Sequence, residues 1–240
     1  MNVAVIFAGG TGTRMKTADK PKQFLLVHGK PIIVHTVEVF ESHPDIDGII
    51  ISCLEGYIPY MNDLVYRYRL DKVKAVVPGG TTGQLSIYNG IKKASEFYPD
   101  PDTIVLIHDG VRPFIDADLI TRNILCVKTN GSCITCAPAN ETFVILNEDE
   151  EVYQIMNRRL SQSAKAPQSF YLNEILASHE QALKDGFDNM IDSVTLMCHY
   201  GFKPAITECG SENIKITTPN DFYIFRALYD ARENMQLDLQ

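Results

Sequence analysis

The chain has 240 residues, 45% of them hydrophobic and 22% charged, with a formal net charge of −8 at pH 7. That is enough apolar material for a full core and excludes a disordered chain, while the acidic balance excludes a general nucleic-acid or membrane-surface binder. No apolar run reaches the ~20 residues that span a bilayer, and Met1 leads straight into an apolar stretch without the charged start of a secretory leader.

Residues 3–7 read as a buried strand. It opens into Ala8-Gly9-Gly10-Thr11-Gly12-Thr13-Arg14-Met15, and Lys20-Pro21-Lys22-Gln23-Phe24 follows. Glycines let backbone N–H groups converge on an anion. Arg14, Lys20 and Lys22 add full positive charge beside them, which suits a polyphosphate and points to a nucleoside triphosphate. The P-loop string G-x-x-x-x-G-K-[ST] is absent, and the dinucleotide fingerprint fails because Met15 stands where its third glycine belongs.

A helix-like stripe over 31–42 follows, then a strand over 48–53, a helix over 60–68 and a strand over 74–77. Gly79-Gly80-Thr81-Thr82-Gly83-Gln84-Leu85-Ser86 is a second glycine-rich turn, placed to hold a base or ribose, with a helix over 85–97 behind it. Residues 103–108 form a continuous apolar run of the kind found in central parallel strands. Just beyond lies His108-Asp109-Gly110-Val111-Arg112-Pro113, in which Asp109 could ligate Mg²⁺ and Arg112 grip a phosphate, or the two could form a structural ion pair. A helix over 117–128 takes Asp116 as N-cap and Asn130-Gly131 as its stop.

This order predicts an α/β fold: a Rossmann-like, mostly parallel sheet with helices on both faces, its ligands at the carboxyl ends of the strands. Strands over 132–138, 141–146 and 152–156 break the rhythm. The last two, around Asn147-Glu148-Asp149-Glu150, make an inserted β-hairpin at about 139–157: an arm that covers the site or reaches a partner subunit, or else an ordinary edge hairpin. Cys133 and Cys136 fall within one strand on opposite faces and lack a second ligand pair, so zinc is not expected; the six scattered cysteines fit reduced thiols in the cytoplasm. Asn157-Arg158-Arg159 at the base of the hairpin could reach an anion or be solvated surface. A helix over 172–184, short strands over 203–207 and 213–216, and a last helix capped by Thr218 with Pro219 in its first turn complete one domain over 1–240. Asp192 could face a polar ligand or, more simply, cap a turn.

Taken together, Ala8 to Met15, Pro21-Lys22-Gln23-Phe24, Gly79-Gly80 with Ser86, His108-Asp109-x-x-Arg112-Pro113, Asn157-Arg158, Pro167-Gln168-x-Phe170 and Asn213-Ile214-Lys215-Ile216-Thr217 resemble, in order and nearly end to end, the cytidylyltransferases that act on small polyol phosphates. The resemblance implies a nucleotidyltransferase domain in which the acceptor's phosphate attacks the α-phosphorus of CTP, giving a CDP-polyol and pyrophosphate. It implies that Ala8, Gly9, Gly10, Gly12, Thr13, Arg14, Lys22, Gly80, Ser86 and Asp109 bind CTP, that Arg14, Lys22 and Arg158 are catalytic, and that Arg112, Thr142, Arg158 and Lys215 grip the polyol phosphate. It further implies Mg²⁺ held by Asp109 and Glu212, and a homodimer formed through the hairpin arm.

Relatives commonly have arginine where this chain has Gly83 and threonine where it has Ala166. Their Thr-Asp-Asp/Glu-Ala segment appears here as Ile191-Asp192-Ser193-Val194. With Asn157-Arg158, these departures favour ribitol 5-phosphate or a similar alditol phosphate, destined for a cell-surface polymer. 2-C-Methyl-D-erythritol 4-phosphate is the alternative acceptor. A sugar-1-phosphate nucleotidyltransferase and a nucleotide-binding module without turnover are the rival readings.

Overall fold

The computed structural model describes residues 1–10 and 20–237. A seven-stranded sheet carries the fold. Its strands are β1 (Asn2–Ala8), β4 (Gly48–Cys53), β5 (Val73–Pro78), β6 (Ile104–Asp109), β7 (Ser132–Pro138), β10 (Gln162–Tyr171) and β11 (Ala205–Glu208), in the order β11-β7-β10-β6-β1-β4-β5. β1 is parallel to β4 and β6, β4 to β5 and β11 to β7, while β10 runs antiparallel between β6 and β7. The predicted mostly parallel sheet is present.

Alternation sorts side chains from the central strands to the two faces. Ala4, Ile6, Ile49, Ile51 and Leu106 pack with α1 (Ile32–Ser42), α2 (Ile58–Arg67) and α4 (Ala117–Asn130). Val3, Val5, Ile50, Val105 and Ile107 pack with α3 (Gly83–Phe97), α5 (Leu172–Lys184) and α6 (Ser193–His199). Because both faces are covered, each central strand is built on a continuous apolar run, with polar residues at or near its ends. The last helix, α7 (Pro219–Leu237), sets Phe225 against Val27, Ile32 and Phe114 near the small ribbon of β2 (Leu26–Val27) and β3 (Lys30–Pro31).

The local signals that set helix ends act as expected. Asp116 accepts the Leu119 N–H at 2.7 Å at the start of α4, and Gly131, at φ 83°, ends it in a conformation that disfavours a side chain. The hairpin is β8 (Val144–Leu146) and β9 (Val152–Ile155), paired with each other and with no strand of the main sheet.

Three elements differ from the sequence reading. β10 is a central strand where no strand was expected, because its Ser, Lys, Pro and Gln hide the pattern. Buried polar contacts hold it instead: Ser169 donates to Asn123 Oδ1 at 3.0 Å. Residues 213–216 are a loop and not a strand; the Ile216 N–H donates to the Val111 carbonyl at 3.0 Å, so the segment folds across the strand ends. Asp192 caps the whole of α6, accepting the Thr195 N–H at 2.8 Å.

Candidate active site

β1 has β4 on one side and β6 on the other, so the chain departs from it in both directions. Ligands in such sheets lie at the carboxyl ends of the strands beside this switch point. A cleft of about 260 Å³ opens there, with Asp109, Arg112, Lys215, Gly83, Ala166 and Gln168 among its walls.

Asp109 ends β6 and is 5% exposed. Arg112 Nε donates to its Oδ2 at 2.7 Å, and Lys215 Nζ lies 2.5 Å from its Oδ1. Burial alone would push the Asp109 carboxyl up, but the charges and hydrogen bonds of Lys215 and Arg112 outweigh it and hold the carboxyl at about 2. Asp109 is therefore ionised at neutral pH.

The turn is locked from below. His108, fully buried, donates from Nε2 to the Arg112 carbonyl at 3.1 Å, and burial lowers its pKa to about 4, keeping it neutral. Arg112 also donates from Nη1 to the Asn213 carbonyl at 2.9 Å, while Asn213 Nδ2 donates to the Ala166 carbonyl at 2.8 Å. These bonds draw the 213–216 loop and the cleft-lining part of β10 onto the end of β6, which is how Lys215, 106 positions from Asp109 in sequence, reaches it.

The two glycine-rich turns meet beside this cluster. A Cβ on Gly9 would come 2.8 Å from Ser86 Oγ, so glycine is what lets the β1 loop lie against α3. Ser86 Oγ accepts the Gly80 N–H at 3.0 Å and donates to the Thr82 carbonyl at 2.8 Å, bracing the second turn. Thr82 caps α3 through the Leu85 N–H at 3.1 Å. Gln23 braces the first turn, with its Nε2 donating to the carbonyls of Ala8 at 2.7 Å and Gly10 at 3.3 Å. Lys22 opens the short 3-10 helix Lys22–Phe24 that carries Gln23, so the lysine is delivered to the same loop.

Residues 2–230 match the IspD family, described as 2-C-methyl-D-erythritol 4-phosphate cytidylyltransferase. The chain belongs to the IspD family. It is similar to the ribitol-5-phosphate cytidylyltransferase of Streptococcus agalactiae serotype III, at 52% identity over 237 residues and 99% coverage of each chain. It is 37% identical over 233 residues to the 2-C-methyl-D-erythritol 4-phosphate cytidylyltransferase of Clostridium acetobutylicum, covering 95% of this chain and 97% of the relative. The solved 4-diphosphocytidyl-2C-methyl-D-erythritol synthase of Anaerococcus prevotii superposes with a TM-score of 0.80 at 28% identity, covering 95% of this chain and 96% of that one. As an IspD-family enzyme the chain is a CTP-dependent cytidylyltransferase.

Within this IspD-family fold the sequence-derived residues fall at different distances from the cleft. Asp109, Arg112 and Lys215 form one cluster in the cleft; Ala8 ends β1, Gly9, Gly10 and Gly80 lie in the two glycine turns, Ser86 is in the first turn of α3 against them, and Lys22 opens the 3-10 helix. Thr142 and Arg158 are exposed on the hairpin arm and do not line the cleft; Arg158 Nε donates to the Ala139 carbonyl at 3.1 Å. Glu212 is exposed, with its carboxylate lying where a Cβ on Gly210 would go, and does not line the cleft either. Gly12, Thr13 and Arg14 fall outside the described residues.

The sequence reading missed Lys165, a third cation on the cleft wall, whose ammonium is lowered by burial and by the Arg112 charge. It also missed Gln84 and His179. Lys165 stands in a stretch with no apolar pattern, and His179 reads as an ordinary helix residue, so neither carried a signal.

Proposed function

We propose that this enzyme transfers CMP from CTP to an open-chain alditol phosphate, ribitol 5-phosphate being the favoured acceptor, to give a CDP-alditol for a cell-surface polymer. The observation that carries the acceptor is the 52% identity, end to end, to a ribitol-5-phosphate cytidylyltransferase, against 37% to a methylerythritol-phosphate enzyme. An acceptor phosphate oxygen bonds to the α-phosphorus of CTP, the bond from that phosphorus to the bridging oxygen breaks, and the electron pair leaves with pyrophosphate. The nucleophile is already anionic, so no general base is needed, and the protein's work is alignment and positive charge. Lys22 and Arg14 serve the α-phosphate, while Arg112 and Lys215 hold the acceptor's phosphate.

Asp109 has the chemistry to hold Mg²⁺: it is an ionised hard oxygen donor in the cleft, and each of its oxygens keeps a lone pair beyond its bond to Arg112 or Lys215. Among the described residues no group of three His, Cys, Asp or Glu converges at the cleft, so nucleotide phosphates and water would supply the remaining ligands; Asp192 is the second carboxylate on the cleft wall, and Glu212, outside it, would have to reach in to serve as a ligand. The ion would neutralise charge on the triphosphate.

The enzyme acts as a homodimer in this reading. The arm exposes Phe143, Ile145, Leu146, Val152, Tyr153 and Ile155 together, an apolar surface suited to a second copy. Thr142 and Arg158, which its own cleft does not use, would then serve the partner's. Arg158→Ala should raise the KM for the acceptor by about tenfold and leave the KM for CTP nearly unchanged, the loss of one charged hydrogen bond. A selective loss of CTP affinity would place Arg158 elsewhere. A cytoplasmic location is supported by six unpaired cysteines and by the lack, among the described residues, of any helix long and apolar enough to cross a membrane.

The test is pyrophosphate release from CTP and Mg²⁺ with ribitol 5-phosphate, 2-C-methyl-D-erythritol 4-phosphate, glycerol phosphates and hexitol phosphates. Ribitol 5-phosphate should give the highest kcat/KM. A preference for the methylerythritol phosphate would overturn the acceptor and leave the reaction standing.

A further inference from the structure

The cleft contains two buried polar side chains that the roles above leave unpaired. His179, on α5, is 1% exposed, and neither ring nitrogen has a hydrogen-bond partner. Ser193, the first residue of α6, is 2% exposed, and its Oγ is likewise unpaired. Both line the cleft that holds Asp109, Arg112 and Lys215. Buried donors and acceptors without partners are uncommon in native proteins, because each forgoes its bonds to water.

The neighbouring polar groups show that the wall is otherwise well satisfied. Gln84 donates to the Phe187 carbonyl at 2.8 Å and accepts the Met190 N–H at 2.7 Å. Gln168 donates to Asp192 Oδ2 at 3.1 Å and accepts the Val194 N–H at 2.9 Å. Thr82 Oγ1 donates to the Asp188 carbonyl at 2.6 Å. These contacts fix the segment 187–194 and use up the polar atoms that make them. His179 and Ser193 are left over.

Their chemistry narrows the ligand. Burial lowers the His179 pKa to about 4, so at neutral pH the ring is uncharged, with one N–H donor and one bare acceptor nitrogen. A hydroxyl at Ser193 likewise donates and accepts. Neither is suited to neutralising a phosphate, which Arg112, Lys165 and Lys215 can do. Both match alcohol groups, each of which also donates and accepts. Tyr88 stacks on the His179 ring at 6.0 Å and limits its rotation, and a Cβ on Gly83 would meet nothing within 4 Å, so the α3 side of the cleft has room.

We infer that His179 and Ser193 are specificity-determining residues that hydrogen-bond the hydroxyl-bearing tail of the acceptor while the cleft's cations hold its phosphate. The inference rests on the reading above that the acceptor is an open-chain polyol phosphate. It makes hydroxyl count, and not phosphate alone, the basis of selection, because a site built to pair hydroxyls rejects analogues that lack them.

The test compares ribitol 5-phosphate with glycerol 3-phosphate, which lacks the outer hydroxyls, in the full-length enzyme and in His179→Phe, His179→Gln and Ser193→Ala. His179→Phe and Ser193→Ala should raise the KM for ribitol 5-phosphate about 10–100-fold, leave the KM for CTP nearly unchanged, and shrink the preference for ribitol 5-phosphate over glycerol 3-phosphate by a similar factor. His179→Gln, which keeps a donor and an acceptor, should recover part of the loss. An unchanged KM for ribitol 5-phosphate in the variants, or equal losses for both acceptors and CTP, would overturn the inference. Should His179→Phe fail to fold, the same outcomes in His179→Gln and Ser193→Ala decide. A wild-type enzyme that transfers to no open-chain polyol phosphate removes the acceptor reading and this inference together; a wild type active on ribitol 5-phosphate with unaffected variants removes this inference alone.

Discussion

Replacing Lys22 with alanine is expected to lower kcat for CMP transfer by about 10²–10³, the usual cost of losing one donor aimed at charge that builds in the transition state. The fold should survive, because the residues beside Lys22 anchor this segment strongly. Gln23 ties the segment to the carbonyls of Ala8 and Gly10, and buried Phe24 stacks on Tyr57 with ring centroids 5.1 Å apart and meets Tyr60 edge-on at 5.2 Å. Lys22 is thus positioned by the residues that follow it. Its removal should lower kcat and kcat/KM together, the mark of an interaction made chiefly in the transition state. Gln23→Ala is the informative contrast. It leaves the charge and removes the tether, so it should lower the melting temperature as well as the rate. Arg14→Ala should act as Lys22→Ala does. Wild-type turnover in the Lys22 variant would remove the lysine from the mechanism.

The parts of this enzyme that were legible in the sequence are those where one local cause dominates. β1, β4 and β6 each carry a continuous apolar run (residues 3–8, 49–51 and 104–107) because helices cover both their faces. Asp116 and Gly131 mark the ends of α4 because capping depends on a single residue. The glycine turns and the Asp109–Arg112 pair were visible because the chemistry they imply lies within a few residues. Even there the sequence left open whether Asp109 and Arg112 pair with each other or serve a ligand, and the structure shows a pair that faces the cleft, so the two roles are compatible.

What was not legible depends on distant neighbours. β10 is central although polar, because Asn123 and Asp192, far off in sequence, satisfy Ser169 and Gln168. Residues 213–216 alternate like a strand, yet bonds from Arg112 and to Val111 and Ala166 hold them as a loop. His179 and Lys165 acquire meaning only once α5 and β10 face the same cleft.

Asp109→Asn should produce the largest loss of stability. The substitution removes the formal charge that, among the described residues, pairs with a guanidinium whose side chain is 10% exposed, and unmatching a buried pair costs roughly 3 kcal/mol. Lys215, with its side chain 39% exposed, can turn to water and should contribute less. The pH dependence separates this account from a simple packing defect. The folded carboxyl titrates at about 2 against an ordinary 3.8, so its ionised form stabilises the native state above the ordinary value, and that contribution is lost as pH falls through the folded one. The linkage is worth about 2 kcal/mol. Asparagine cannot titrate, and a protonated aspartate resembles it. Denaturant unfolding of wild type and Asp109→Asn should therefore show a stability gap that is constant from neutral pH down to about 5 and narrows by about 2 kcal/mol between pH 4 and 2. A gap of constant width across that interval would mean that Arg112 and Lys215 do not hold Asp109 ionised, and the electrostatic basis of the cleft would have to be sought in other residues. Mg²⁺ titration of turnover reads the same side chain independently: if Asp109 is a ligand, the variant should need more metal, whatever its stability.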